Sequence, residues 1–490
     1  MVEVAWAGHA VLRRSGARVI LRGPGAQWVG ADWVHVPCSV GESLKISASC
    51  CASVFARPAW TRPLGWLAFS ERLSFAEDDI EERNAGCMND SSFEAMAGEI
   101  EGLLGIDQEK HASWHAESIA VHGYEGADAR TGAISYPLYQ SATFAHPAWG
   151  KSTGYCYSRC GNPTRLELEN TIALLEGGKK CMAFSSGMAA ITTLLKLLRS
   201  GDHVLVSDDL YGGTYRLFSN IYTQYGLEFD YVDLTDSDVL SASFKPNTKL
   251  VFLETPTNPT MKVADIAAVA EAAHAHGAVL AVDNTFLTMY FQKPLELGAD
   301  VVVYSGTKYL CGHNDVLSGF LVLRDGALLE TLFNATMSEG NQLDPFDSWL
   351  MLRSLKTLGV RLRQQEGNAQ RIVEALKANP HVTDVFYVGD PDHPDYDLSR
   401  RQTTGFGAMV SFKVDTHERA LAVLERVRLI LFAESLGGTE SLVTYPLVQT
   451  HGSIPKPMLD KLGIDERLLR LSVGLENAED LIADLGQAIG

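Results

Sequence analysis

The chain has 490 residues, more than one ordinary domain needs, so two or three domains are expected. Its 46% hydrophobic and 21% charged residues are typical of a soluble globular protein. The net charge of −19 argues against a nucleic-acid-binding protein, which needs a basic surface. Because the sequence has neither a long unbroken apolar run nor the pattern of a secretory signal, we expect no membrane span and no export.

The eight cysteines form no CxxC pair, and no group of cysteines and histidines has the spacing of zinc ligands. Cys181 and Cys311 lie beside apolar strand patterns and are predicted to be buried or cleft thiols. We therefore predict no metal site and a reducing, cytoplasmic location.

Residues 1–87 differ in composition from the rest of the chain. They contain five of the eight tryptophans, and no sustained helical or strand period appears in them. Three alternatives remain open: translated upstream sequence with the true start at Met88, an organelle transit peptide, or a small accessory domain. The stretch is rich in arginine, but its tryptophans and the acidic residues between positions 77 and 82 count against a transit peptide. We favour upstream sequence and expect little order here.

The remaining chain divides into three predicted parts. Residues 88–170 form an arm of turns and short pieces that contains GYCYSRCGNPTR. Residues 171–350 alternate strand and helix patterns, which predicts an α/β domain around a mainly parallel sheet of seven strands. Residues 351–490 begin with long amphipathic helices and suit a smaller α+β domain, with a strand at 407–414 and a helix near 417–428. The seven sheet strands are predicted at 181–185, 203–207, 228–233, 250–255, 279–283, 301–305 and 319–324.

The strand at 301–305 is followed by side chains that can take part in a reaction. It leads through Ser305, Gly306 and Thr307 into Lys308, and open α/β sheets bind ligands at the carboxyl ends of their strands. A lysine amine that is removed from water there has a lowered pKa and attacks carbonyl groups. The two hydroxyls are spaced to hold a phosphate beside it, which suggests a Schiff base of Lys308 with pyridoxal phosphate. A surface lysine after a core strand is the simpler alternative.

Two further strands end in groups that suit the same ligand. Asp283 ends the strand at 279–283, where its carboxylate could pair with a protonated pyridine nitrogen and keep the ring an electron sink. Ser186 and Gly187 lie where another strand turns into a helical pattern, which offers backbone N–H groups to a phosphate. Three strand ends with phosphate ligands, an acid and a lysine favour a pyridoxal phosphate site over a chance arrangement.

Eight stretches together carry a family resemblance. From about residue 115 to the end, the chain resembles the Cys/Met-metabolism class of pyridoxal-phosphate enzymes, which includes cystathionine γ-synthase and the cystathionine lyases. The resemblance implies the aspartate-aminotransferase-like fold of these transferases (fold type I) and pyridoxal 5′-phosphate as cofactor. The matching stretches are YSRCGNPTR, SSGMAA, DDLYGGTYRLF, ETPTNP, AVDNTF, SGTKYLCGHNDVLSG, ESLGGTESL and RLSVGLEN.

The resemblance also implies roles for individual residues. Tyr211 would stack on the cofactor ring and Asn258 would bind the ring hydroxyl. Tyr157 and Arg159 would reach the cofactor phosphate of a neighbouring subunit. The catalytic residues are expected to be Lys308, Tyr211 and Asp283. Cofactor binding is expected from Tyr157, Arg159, Ser186, Gly187, Met188, Tyr211, Asn258, Asp283, Thr285, Ser305, Thr307 and Lys308.

Substrate binding is expected from Glu434, Ser435 and Arg470. Arg470 lies between leucines on a strand pattern, where an unpaired charge is costly, so a ligand or an internal salt bridge must compensate it. In the family the matching arginine binds the substrate α-carboxylate, and its planar fork suits that task. The partners implied are therefore small amino-acid substrates and further copies of the chain, in a homotetramer of two dimers.

The resemblance does not select one reaction. We favour γ-replacement on an O-acyl-L-homoserine, with cysteine or sulfide as the second substrate. A cystathionine γ- or β-lyase is the close alternative, and a non-catalytic binding protein of the same fold is a remote one. Methionine γ-lyases carry a cysteine where this chain has Gly213, which disfavours that activity. Glu434 before Ser435 resembles the γ-synthases and γ-lyases.

Overall fold

A computed structural model of the chain describes three short strands near the amino terminus and, without a break, residues 106–490. The chain divides into two compact units, Met1–Ala85 and Gly86–Gly490. Residues 86–105, which include Met88 and the beginning of the predicted arm, lie outside the described residues.

The described part of the first unit is an antiparallel meander of β1 (Glu3–Ala5), β2 (His9–Arg14) and β3 (Ala17–Ile20). In the backbone register, Glu3 pairs with Val11, and Val11 pairs with Ile20. The sequence analysis saw no strand pattern here, and that expectation is corrected. Strands of three to six residues are too short to show a sustained period. The origin of residues 1–87 stays a prediction.

The second unit contains twelve of the described strands and fourteen helices within residues 106–490, and three short 3-10 turns at Gln108–His111, Leu195–Leu197 and Tyr222–Tyr225. The strands are β4 (Lys180–Phe184), β5 (His203–Ser207), β6 (Glu228–Val232), β7 (Thr248–Glu254), β8 (Val279–Asp283), β9 (Val301–Ser305), β10 (Gly319–Leu323), β11 (Val382–Phe386), β12 (Met409–Val414), β13 (Leu431–Phe432), β14 (Leu442–Thr444) and β15 (Leu468–Ser472). The helices are α1 (Ala116–His122), α2 (Pro163–Glu176), α3 (Gly187–Leu194), α4 (Gly212–Asn220), α5 (Ser237–Ser243), α6 (Ile266–Ala275), α7 (Thr288–Phe291), α8 (Leu329–Glu339), α9 (Pro345–Leu355), α10 (Leu358–Ala378), α11 (Tyr396–Gln402), α12 (His417–Arg426), α13 (Lys456–Leu462) and α14 (Ala478–Ile489).

The seven predicted strands form one sheet in the order β4-β10-β9-β8-β7-β5-β6. All neighbours are parallel except β10, which runs antiparallel to β4 and β9, so the mainly parallel sheet is confirmed. Val301 and Val303 enter one buried cluster, whereas Val302 and Tyr304 enter another. Alternate side chains therefore pack on opposite faces of the sheet, and both faces are covered.

A second sheet of five strands, in the order β11-β12-β15-β14-β13, confirms the smaller α+β part of the fold. Its pairs are antiparallel except for β13 with β14. The predicted strand at 407–414 and the helix near 417–428 are β12 and α12. The domain boundary near residue 350 stays a prediction. Within the described part of the chain, no helix has the length and apolar character needed to cross a bilayer.

The sheet register brings the chemically important strand ends together. Glu254 pairs with Asp283 across β7 and β8, and Gly319 of β10 pairs with both Phe184 and Ser305. Because parallel strands end at the same edge, the turns after β4, β8 and β9 meet there. The three stretches that the sequence singled out therefore face one region.

Arg361 of α10 holds the segment that follows Lys308. Its buried guanidinium donates to the carbonyl oxygens of Tyr309 (2.7 Å), Leu310 (3.4 Å) and Ser354 (3.1 Å). Gly312 has a φ of 70°, and a Cβ there would lie 2.0 Å from Arg361 Nη1. Glycine at this position thus allows both the left-handed turn and the approach of the guanidinium.

We predict that Arg361→Ala lowers the free energy of unfolding by about 2–4 kcal/mol, because buried carbonyl groups lose their donors. Thermal unfolding of the full chain would show this as a lowered midpoint. Arg363→Ala is the matched control on the same helix, since its exposed ion pair with Glu117 (2.9 Å) contributes little. Equal midpoints for the two variants would contradict the role assigned to Arg361.

Candidate active site

A cleft of about 330 Å³ lies at the carboxyl edge of the seven-stranded sheet, a volume within the range of small-molecule sites. The turns after β4, β8 and β9 form one wall, and residues around β14 and β15 form another. Thirteen of the predicted site residues line this cleft, namely Ser186, Gly187, Met188, Tyr211, Asn258, Asp283, Thr285, Ser305, Thr307, Lys308, Glu434, Ser435 and Arg470.

The amine of Lys308 points into the cleft and donates to Ser435 Oγ at 2.8 Å. Burial lowers the pKa of Lys308 to about 8, with a further contribution from the positive charge of Arg470, while Glu434 opposes the shift. Lys308 is therefore not the surface lysine of the simpler alternative. With a pKa of about 8, about a tenth of the amine is unprotonated at pH 7, far more than for an ordinary lysine, and the unprotonated form is the one that acts as a nucleophile or base.

Ser435 connects Lys308 to Arg470. Its hydroxyl accepts from Lys308, and its carbonyl oxygen accepts from Arg470 Nη2 at 3.0 Å. Its φ of 83° lies in the left-handed region, which is strained for a serine. Backbone strain of this kind persists where surrounding contacts hold it, and it is frequent at functional sites.

Arg470 is a buried cation in the sheet core of the smaller part of the fold. It lies on β15 and donates to Asn258 Oδ1 (2.8 Å) and Thr444 Oγ1 (3.2 Å) as well as to Ser435. Within residues 106–490 it has no carboxylate within 4.0 Å, so the described contacts give no internal salt bridge, and its Nε has no partner. Burial lowers the pKa of Arg470 to about 10. A bound carboxylate would supply both the missing charge and an acceptor for Nε.

Two carboxyl groups lie on the other side of the cleft. Asp283 accepts from the backbone N–H (3.1 Å) and the hydroxyl (2.5 Å) of Thr285, yet burial raises its pKa to about 6. Glu254 accepts from the backbone N–H of Tyr211 at 3.0 Å, and burial together with the charge of Asp283 raises the pKa of Glu254 well above its usual value. A positively charged ligand group beside Asp283 would stabilise its carboxylate, which fits a protonated pyridine nitrogen.

The amino end of α3 offers an anion site beside Lys308. Ser186 caps the helix by accepting from Ala189 N at 3.1 Å, and the first N–H groups of an α-helix have no partner inside the helix. A Cβ at Gly187 would lie 3.0 Å from Ser305 Cβ, so glycine keeps this corner open. Together with the hydroxyl groups of Ser305 and Thr307, this arrangement fits a phosphate.

Tyr211 and Glu434 lie at the mouth of the cleft, and both are exposed. A Cβ at Gly213 would lie 2.3 Å from a ring carbon of Tyr211. A side chain at position 213 would therefore force the Tyr211 ring to move, which ties the orientation of the ring to this glycine.

Tyr157 and Arg159 lie outside the cleft of their own chain. Both side chains are exposed, and the Arg159 guanidinium lies 5.5 Å from the centre of the Tyr157 ring. The carbonyl oxygen of Arg159 accepts from Gln342 Nε2 at 2.8 Å, which fixes the backbone of the arm there. The expectation that they serve a neighbouring subunit stays a prediction.

The sequence analysis missed two buried residues of the site. Glu254 ends a buried strand as Asp283 does, so the same pattern would have identified it. No sequence pattern would have identified His451, because it lies in a loop without a regular period. Its Nε2 lies 2.9 Å from the carbonyl oxygen of Asn258, and its Nδ1 lies 2.7 Å from Thr450 Oγ1. His451 therefore orients the Asn258 segment from behind the cleft.

Comparisons with known proteins agree with this geometry. Residues 117–490 match the family model described as Cys/Met metabolism PLP-dependent enzyme. The chain is 46% identical over 373 residues to a cystathionine gamma-lyase of Bacillus subtilis, covering 76% of this chain and 98% of the relative. It is 47% identical over 377 residues to the cystathionine gamma-synthase/O-acetylhomoserine (thiol)-lyase of the same organism, covering 77% and 97%.

A solved structure of cystathionine gamma-lyase from Lactobacillus plantarum, complexed with L-serine, has a TM-score of 0.75 and 43% identity to the chain. The match covers 76% of this chain and 98% of that one. The predicted fold, enzyme class and cofactor dependence are confirmed by these similarities. The chain belongs to the family of pyridoxal-phosphate-dependent enzymes of cysteine and methionine metabolism.

Proposed function

We propose that the chain is a trans-sulfuration enzyme that performs γ-replacement on an O-acyl-L-homoserine, with cysteine to give cystathionine or with sulfide to give homocysteine. The observation that carries this proposal is the bridge made by Ser435, which contacts both Lys308 and Arg470. An amino acid whose α-carboxylate binds Arg470 has its α-amino group and Cα beside the Lys308 amine. The site is therefore suited to proton transfer at Cα of a small amino acid.

The residues that would hold pyridoxal phosphate are divided around the cleft. Lys308 would bind its aldehyde carbon, and Asp283, oriented by Thr285, would face its ring nitrogen. Tyr211 would stack on the ring and Asn258 would meet the ring hydroxyl. The bound cofactor supplies an electron sink for negative charge on the substrate carbons. The phosphate would be held by Ser186, Gly187, Met188, Ser305 and Thr307.

Lys308 would act as general base and general acid. An amine with a pKa of about 8 exists in both protonation states near neutral pH, so it can accept a proton from Cα and return one elsewhere on the substrate. The bond to Ser435 Oγ at 2.8 Å holds the amine on the side of the cleft where Arg470 lies. The catalytic role proposed for Tyr211 is assistance in proton transfer or leaving-group departure from the exposed face.

Glu434 is the residue proposed to bind the second amino acid. It is exposed at the mouth of the cleft and adjoins Ser435 in the chain, so a carboxylate there can attract the ammonium group of cysteine. Methionine γ-elimination is disfavoured, because the chain has Gly213 where methionine γ-lyases carry a cysteine that their chemistry uses.

A cystathionine γ- or β-lyase is the second candidate. It is favoured by the nearly equal identity of the chain to a γ-lyase (46%) and to a γ-synthase (47%). Both reactions use the same lysine, arginine and electron sink, and they differ in whether a thiol adds to the substrate or leaves it. A non-catalytic binding protein would have no use for the lowered pKa of Lys308.

The assembly proposed is a cytoplasmic homotetramer of two dimers. Tyr157 and Arg159 are exposed and cannot be counted among the residues lining the cleft of their own chain. In the proposed dimer they complete the phosphate site of the neighbouring subunit, where an arginine fork suits the phosphate oxygens.

Product analysis tests the reaction. The full chain is expected to convert O-acetyl- or O-succinyl-L-homoserine and cysteine into cystathionine, and Lys308→Ala should lose at least about a thousandfold in kcat/KM. Lys456→Ala, an exposed lysine on α13, is the control and should retain activity. Cleavage of added cystathionine to 2-oxobutanoate or pyruvate, without any synthesis, would replace the synthase by a γ- or β-lyase.

The titration of Lys308 tests the electrostatics. In cofactor-free protein, the pH dependence of acetylation by acetic anhydride, followed by mass spectrometry, should give a pKa of about 8. Arg470→Met should raise this pKa because a neighbouring positive charge is removed, whereas Glu434→Gln should lower it because a negative charge is removed. Shifts of the same sign in the two variants would refute this account of the cleft.

Cofactor retention tests the arm. We predict that Arg159→Ala releases pyridoxal phosphate about tenfold faster, since a charge-assisted hydrogen bond to the phosphate is lost. Visible absorbance after dialysis measures the retained cofactor, and Arg130→Ala, another exposed arginine of the arm, is the control.

Mixing subunits of two variants tests directly whether neighbouring chains share a site. A dimer of one Lys308→Ala chain and one Arg159→Ala chain contains one site with both lesions and one site with neither. Half of the sites in mixed dimers should therefore retain pyridoxal phosphate as firmly as wild-type sites do, whereas every site of the Arg159→Ala parent should release it faster. A stable, fully active monomer would contradict the shared site.

A further inference from the structure

Glu254 is a carboxyl group of the cleft to which the proposed reaction gives no role. It ends β7 and pairs with Asp283 at the end of β8. Residues paired across neighbouring parallel strands project from the same face of the sheet, and both carboxyl groups line the cleft. Glu254 is 6% exposed, and a buried acid without a counter-ion is costly. It forms no ion pair within residues 106–490, so a charge partner does not explain its place there.

The carboxyl group of Glu254 contacts the backbone of Tyr211. Glu254 Oε2 accepts from Tyr211 N at 3.0 Å. The backbone N–H of Glu254 donates to Ser207 Oγ at 3.1 Å, which fixes the acceptor at the edge of the sheet. Tyr211 is the N-cap residue of α4, and its carbonyl oxygen accepts from Thr214 N (2.9 Å) and Tyr215 N (3.2 Å). Both backbone polar groups of Tyr211 are therefore held, one by Glu254 and one by the helix.

The Tyr211 side chain has no comparable polar support. Its ring is 41% exposed, and its hydroxyl group has no hydrogen-bond partner within residues 106–490. The ring lies against the start of α4, where a Cβ at Gly213 would be 2.3 Å from a ring carbon. The direction of the ring is therefore set by the position of the Tyr211 backbone, and a shift of that backbone would move the ring.

We propose that Glu254 is a positioning residue, whose carboxyl group anchors the backbone of Tyr211 and thereby directs the Tyr211 ring across the mouth of the cleft. Loss of the anchor would leave a partly buried N–H group without its acceptor, which favours another position of the backbone. The consequence for the cofactor rests on the proposed function, in which Tyr211 stacks on the cofactor ring.

The anchor does not require a charged carboxylate. Burial and the charge of Asp283 raise the pKa of Glu254 well above its usual value. A carboxyl group that binds a proton on one oxygen still accepts through the other, so Glu254 can hold Tyr211 while Asp283 carries the negative charge. Glutamine has the same shape and offers the same acceptor without a charge, whereas leucine is similar in size and offers none. These two substitutions therefore separate the hydrogen bond from the charge.

Hydrogen–deuterium exchange of the cofactor-free full chain tests the anchor. Mass spectrometry with fragmentation to single residues follows the amide of Tyr211. Glu254→Leu should speed its exchange at least about tenfold because the acceptor is lost, whereas Glu254→Gln should stay within about twofold of wild type. Equal exchange in wild type and Glu254→Leu would overturn the proposal. Fast exchange in Glu254→Gln would also overturn it, because the charge and not the hydrogen bond would then hold Tyr211.

Glu366→Leu is the matched control. Glu366 lies on α10, is absent from the lining of the cleft, and accepts from the backbone N–H of another aromatic residue, Phe406, at 2.5 Å. Its substitution should speed exchange at Phe406 and leave exchange at Tyr211 unchanged. Lys308 should keep a pKa of about 8 in every variant, because the charges that shift it are those of Arg470 and Glu434. If Glu254→Leu loses this signature of a folded cleft, the smaller Glu254→Ala takes its place.

Cofactor release tests the consequence. Glu254→Leu and Tyr211→Ala should each release pyridoxal phosphate about fivefold faster than wild type, as measured by visible absorbance during dialysis. In the double variant, Glu254→Leu should add less than about twofold to the effect of Tyr211→Ala, because a positioning residue acts through the residue that it positions. Two effects that multiply in full would overturn the proposal. If Tyr211→Ala alone does not speed release, the stacking assigned to Tyr211 is wrong, and the exchange measurement still decides whether Glu254 anchors it.

Discussion

Two cations buried in one cleft, Lys308 and Arg470, are the constraint on which the site depends. Neither has a carboxylate partner among the described residues, and both lose hydration, so the pKa of each is lowered. Neutral groups hold them in place: the hydroxyl of Ser435 for the amine, and carbonyl, amide and hydroxyl oxygens for the guanidinium. An arrangement of this kind is costly without a ligand, and an anionic amino acid lowers that cost.

The two acids on the opposite wall also have shifted pKa values, but in the upward direction. Asp283, which is half-buried, and the buried Glu254 lie close together at the ends of neighbouring strands, and the pKa of each is raised. The cleft thus holds cations without carboxylate partners and carboxyl groups whose pKa is raised, which suits a ligand that carries both signs of charge. Pyridoxal phosphate with an amino-acid substrate is such a ligand, with a ring nitrogen that binds a proton, a phosphate and a carboxylate.

The fold explains why these groups can be held so accurately. The parallel strands deliver Asp283, Ser305 and Lys308 to one edge, and the second sheet delivers Arg470 from the middle of β15, between β12 and β14. Each side chain is thus attached to a strand or to the first residues after it, and not to a long loop. The arm is different, because the exposed Tyr157 and Arg159 lie away from the cleft of their own chain.

Much of the fold and of the candidate site could be predicted from the sequence alone. Buried parallel strands are continuous apolar runs, so the seven strands and the residues that end them, such as Asp283 and Lys308, could be located by pattern. Tertiary structure decided two features that a sequence pattern cannot express: Ser435 joins Lys308 to Arg470, and Arg470 lacks a carboxylate partner in the described part of the chain. These features depend on side chains from distant parts of the chain reaching the same point. Such proximity follows from packing and burial, which local periodicity does not encode.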